Sequence, residues 1–117
     1  MVNVPSTAQT LSDDYVAMGN WIGLATDDPG NSPAPANEVP VVVDGYMRQQ
    51  TTWMPDADGA GVYQGVPVTF DVPSGAYPFM ILCGDMNGNT MIDNCKINNV
   101  ILNTNGKIVV IPTYTQT

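Results

Sequence analysis

From Trp21 onward the apolar residues of this chain tend to recur at every second position, and proline, glycine and asparagine break the pattern into short runs. A period of two sends successive side chains to opposite faces of an extended strand, and the breaks are turns. Val66, Val68, Phe70 and Val72 form the clearest single face, ended by Pro73-Ser74-Gly75. Trp21 to Thr26 reads as an apolar strand stopped by Asp27-Asp28-Pro29-Gly30, a type I or type II turn sequence with proline in its favoured place. Prolines 33, 35 and 40 then exclude a helix or a paired central strand, which makes this stretch a loop.

Tyr46 to Met54 alternates again, with Tyr46, Arg48, Gln50 and Thr52 on one face and Met47, Gln49, Thr51 and Trp53 on the other. Phe79 to Cys83 is apolar on both faces, the mark of a central strand covered on each side. Beyond the polar turn from Asp85 to Thr90 come two strand candidates, Met91 to Ile97 and Asn99 to Leu102. Asn105-Gly106 is a hairpin signal, with Lys107 to Ile111 as the returning strand. About six to eight short strands predict an all-β domain over residues 20–117, an antiparallel β-sandwich of jelly-roll type.

Residues 1–19 read differently. Val2 to Leu11, with Pro5 inside, is expected to be an extended arm, and Ser12 is expected to cap a helix of about two turns that ends before Gly19-Asn20.

The chain has 117 residues, 44% of them hydrophobic, which suits one domain with one core. Its net charge is -8, with Arg48, Lys96 and Lys107 as the only cations. Binding nucleic acid requires many cations to displace phosphate counterions, and an anionic membrane surface makes the same demand, so neither is an expected partner. No apolar run approaches the roughly twenty residues that span a bilayer, and no positive segment precedes an apolar one at the start, so export by a cleavable signal is not expected.

Catalytic chemistry has little to work with. There is no histidine, and the serines at 6, 12, 32 and 74 lack a nucleophile elbow. Asp56 and Asp58 flank Ala57 in a small acidic loop that offers no cleft to separate their pKa values. Asp85, Asn87, Asn89 and Asp93 imitate part of a calcium loop, but Thr90 stands where glycine is needed and Lys96 where a glutamate should close the cage. No enzyme activity, metal or cofactor is expected. Cys83 and Cys95 would lie nearly opposite each other if their strands form a hairpin; free thiols are the expectation. Arg48, the single arginine, sits between Tyr46 and Trp53, and a structural ion pair with Glu38 or a nearby aspartate is expected of it.

Taken in order, the motifs resemble a known family. Leu24, Thr26, Asp28, Pro29 and Gly30 give an apolar strand with T-x-D-P-G, and Ala36 to Val39 give A-N-E-V. Gly45, Tyr46, Arg48, Gln49, Thr52 and Trp53 follow, then Val68, Thr69, Phe70, Val72, Pro73 and Gly75. This set is similar to that of small virion proteins of tailed bacteriophages, labelled head decoration, head fibre or tail fibre proteins. The third motif is one residue shorter here, and Ala25 stands where members often carry histidine. After Phe79 the likeness is one of pattern.

The resemblance implies an all-β virion surface protein without catalytic residues, assembled in the host bacterial cytoplasm. The expected role is a capsid decoration protein, a small homo-oligomer such as a trimer that binds the major capsid protein and stabilises the head. Val2, Val4, Leu11, Tyr15, Trp21, Tyr46, Arg48 and Trp53 are the expected subunit or capsid contacts, with the amino-terminal arm as the docking element. The alternative is a minor tail or fibre protein that binds a receptor or glycan, for which Tyr63 beside Asp58 is a candidate.

Overall fold

The computed structural model describes residues 4–40, 45–55 and 61–115. Along the chain these form α1 (Pro5–Met18), β1 (Trp21–Ala25), β2 (Gln49–Gln50), β3 (Trp53–Pro55), β4 (Val62–Gly65), β5 (Val68–Val72), β6 (Gly75–Cys83), β7 (Met91–Leu102), β8 (Gly106–Val110) and β9 (Thr113–Thr115). Strands β2-β1-β6-β7 form a four-stranded sheet, β3-β4-β9 a three-stranded sheet and β5-β8 a two-stranded one, all antiparallel. The chain is mostly antiparallel β-structure with a single helix among the described residues, as a period of two requires.

Side-chain alternation sets the core. In β5, Val68, Phe70 and Val72 are buried while Thr69 and Asp71 face out, and Ile108 of β8 lies opposite Phe70 and is buried with it. They join Ile22, Leu24, Tyr46, Tyr77 and Leu82 in the main core, where each large aliphatic or aromatic side chain contributes about 1.5–3 kcal/mol. Strand β6 is central between β1 and β7. Leu82 faces this core, whereas Ile81 and Cys83 pack with Met91 and Trp21 in a second cluster, so β6 is covered on both faces here as expected.

The amino-terminal segment departs from its expectation. The helix starts at Pro5, because proline at the first helical position needs no N–H and already has the helical φ; the Ala8 N–H donates to the Val4 carbonyl at 2.9 Å. Ser12 is no cap. It is buried within the helix, and its hydroxyl donates to the Gly61 carbonyl at 2.7 Å. Residues from Pro5 onward are thus a docked helix instead of an extended arm.

Residues 46–54 are also not one strand. Tyr46 and Arg48 are buried together, but the next buried residue is Thr51, while Gln50 and Thr52 are exposed. The alternation slips by one because the chain leaves β1, which pairs with β2, for β4, which pairs with β3. Thr51 fixes the crossing: its N–H donates to the Asn20 carbonyl at 2.8 Å and its hydroxyl to the Val66 carbonyl at 2.9 Å.

Residues Met91 to Leu102 form one strand of 12 residues along β6 instead of two. The strand after Asn105-Gly106 does not return along β7 as a hairpin; β8 pairs with β5, where Ile108 reaches the core. The Asn105 side chain accepts a hydrogen bond from the Ser74 N–H at 3.0 Å and so joins the two turns. The β6–β7 register, with an irregularity at Leu82/Cys83, sets Cys83 opposite Met91 and Cys95 opposite Met80, so the thiols do not face each other. Both cysteines are free, Cys83 buried and Cys95 exposed.

Candidate functional site

The motif residues meet at one place. The loop after β1 turns at Gly30, whose φ of 83° has the sign a type II turn needs at its third residue. The Asn37 side-chain amide donates to the Asp28 carbonyl at 2.9 Å, and a bridge between Ala25 and Glu38 brings the glutamate back beside β1. Arg48 meets it there. Its Nε and Nη2 donate to the two Glu38 carboxylate oxygens at 2.9 and 2.8 Å, and its Nη1 and Nη2 also donate to the Asp85 and Gly88 carbonyls at 3.1 and 3.0 Å. A longer contact of 3.4 Å reaches the Thr90 hydroxyl.

The Tyr46 hydroxyl donates to the same carboxylate at 2.9 Å and accepts from the Leu24 N–H at 3.0 Å. Gly23 makes room for this: a Cβ there would lie 2.8 Å from the Tyr46 hydroxyl and 2.9 Å from a Glu38 carboxylate oxygen. The Arg48 side chain is 3% exposed and that of Glu38 12%. Hydrogen bonding to Glu38 raises the Arg48 pKa against the opposing effect of burial, and burial followed by the Glu38 charge holds the Tyr46 hydroxyl well above its ordinary value.

Every guanidinium N–H of Arg48 has an acceptor inside the chain, so the group ties the loop of Glu38 to the β6–β7 connection and presents no donor outward. This is the structural pair with Glu38 that the sequence predicts. The calcium-like segment is that connection, and two of its carbonyls face a guanidinium. Among the described residues no group of three His, Cys, Asp or Glu side chains is placed to hold a metal ion.

The expected contact residues fall into three groups. Tyr46 and Arg48 are enclosed, so neither offers a contact surface, which corrects that expectation: their polar atoms are consumed by Glu38 and by backbone. Tyr15, Trp21 and Trp53 are half-buried against the two cores, and the Trp53 indole N–H donates to the Gly19 carbonyl at 2.9 Å. Val4 and Leu11 are exposed, at 60% and 41%. Val2, Asp56 and Asp58 lie outside the described residues.

Sequence reasoning missed how α1 is seated. Ala8, Ser12 and Tyr15 recur at helical spacing and point at the sheets; that spacing was the available signal. The Tyr15 ring stacks on Tyr114 of β9 with centroids 3.6 Å apart, and its hydroxyl donates to the Asp93 carboxylate at 3.0 Å. Gln9 accepts from the Gly61 N–H at 3.0 Å. Tyr63 donates to Asp13 instead of standing free for a glycan. Val4, the extended residue just before this helix, and Leu11 and Met18 on it are exposed at intervals of seven, which sets them in one apolar stripe beside the docked face.

No family model, curated protein or solved structure matches this chain. Among the described residues no helix is long and apolar enough to cross a membrane.

Proposed function

We propose that this protein is a structural component of a tailed-bacteriophage virion, a decoration protein that binds the major capsid protein as a small homo-oligomer such as a trimer. In this reading its strands form a β-sandwich of jelly-roll type, and it acts by adding contact area between neighbouring capsid subunits, with no bond made or broken. The observation that carries the reading is the exposed apolar stripe of Val4, just before the helix, and Leu11 and Met18 on it, the helix itself being locked to the domain. Large apolar side chains left outside a small domain, on a rigid support, favour contact with another protein surface.

The resemblance adds to this. Three of its motif residues, Glu38, Tyr46 and Arg48, converge on one buried cluster, so in this reading these residues serve the fold and the surface defines the partner. Copy number per particle tests the proposal. Quantitative mass spectrometry of purified virions should find the chain in proportion to the capsid lattice, and its absence from the particle overturns the reading. Leu11→Asp with Met18→Asp should lower occupancy while the isolated protein keeps its strand content. Deleting the whole segment is a poorer test, since it also removes Ala8 and Ser12 from the fold.

A second reading, a receptor- or glycan-binding module on a tail or fibre, draws on the aromatic side chains gathered around Tyr15. It requires only a handful of copies per particle.

A further inference from the structure

Where α1 crosses the sheets, a cavity of about 230 Å³ opens to solvent. Ile22, Met80 and Leu82 form an apolar floor, Tyr15, Trp53 and Tyr114 stand around it, and Asp93 lies in its wall. We propose that this cavity binds a small organic cation, an ammonium head on a short apolar stem; the inference is independent of the virion reading.

Three features select that chemistry. The first is the carboxylate. The exposed Asp93 side chain accepts from the Tyr15 hydroxyl at 3.0 Å and the Asn94 N–H at 2.8 Å, yet no cation pairs with it among the described residues: Arg48 is taken by Glu38, Lys107 by Asp71, and Lys96 forms no ion pair with it. The second is the ring set. Tyr15 and Tyr114 are locked by stacking and Trp53 by its bond to the Gly19 carbonyl, so electron-rich aromatic surface is pre-organised beside the charge. The third is the chain's net charge of -8, which attracts cations and repels anions. The volume falls below the roughly 300–1,000 Å³ of drug-sized sites, which restricts the occupant to a small molecule.

Choline and its uncharged isostere 3,3-dimethylbutan-1-ol separate charge from shape. Titrated into the full chain and followed by calorimetry and tryptophan fluorescence, choline should bind saturably and the isostere about tenfold more weakly. Asp93→Asn, with an unchanged circular dichroism spectrum, should weaken choline by a similar factor and close the gap. Absence of saturable choline binding, equal binding of the isostere, or tighter binding of glucose than of choline overturns the proposal. So does a folded Asp93→Asn variant that binds choline as well as the parent. The ligand comparison uses the unaltered protein, so it decides the matter even where the variant fails to fold.

Discussion

Arg48 grips both carboxylate oxygens of Glu38, ten positions away, with parallel hydrogen bonds of 2.9 and 2.8 Å. Two carbonyls of the β6–β7 connection close the other side of the guanidinium. One planar group therefore joins two loops that are remote in sequence, a task that lysine, with its single point charge, does not perform.

Removing one partner strands the other charge in the interior. Glu38→Gln should destabilise the fold by about 3–5 kcal/mol, as breaking a buried ion pair does. The double variant Glu38→Gln with Arg48→Met should lose clearly less than the sum of the two single changes in denaturant titrations. Additive losses would show that the two side chains act separately.

Gly23→Ala tests the close approach above β1. Its Cβ would meet the Tyr46 hydroxyl, Glu38 and Ile81 at 2.8 to 2.9 Å. Thermal unfolding should register a loss of about 1–3 kcal/mol from overpacking. A neutral result would mean that the cluster has slack around it.

The two thiols should behave differently. At neutral pH iodoacetamide should modify the exposed Cys95 and spare Cys83 until the protein is denatured. Burial pushes the Cys83 pKa up to about 11. A pKa raised by folding stabilises the protein below the ordinary thiol range, and that contribution disappears as pH climbs through about 11. Cys83→Ser should flatten this alkaline dependence in a pH series of unfolding midpoints.

The seat of α1 should loosen in acid. Hydrogen bonds from Tyr63, then Gln9, hold the Asp13 pKa below its usual value. A depressed carboxylate pKa contributes stability above the ordinary range and loses it as pH falls below about 4. Hydrogen exchange in α1 should accelerate there before the sheets open, and Tyr63→Phe should remove much of the difference. Unchanged helix protection down to global unfolding would contradict this.

Much of the β-structure was legible because alternation is a local property. Val68, Phe70 and Val72 announce their face wherever they sit, Pro29-Gly30 forces a turn, and a lone arginine near a glutamate in a proline-rich loop calls for an ion pair. Pairing partners were not legible. The Asn105-Gly106 turn is a sound local signal, yet β8 joins β5 because Ile108 must reach the core beside Phe70.

The same division runs through the candidate site. The residue types of the clamp, the absence of histidine, the acidity and the strand period were set by the sequence alone, since each is a property of single residues or near neighbours. The slip at Thr51, the offset of Cys83 from Cys95, the docking of a helix that begins at Pro5 and the cavity beside Asp93 were decided by tertiary structure. Each depends on which distant backbone atom or apolar surface becomes available once the sheets assemble, and no local pattern carries that information.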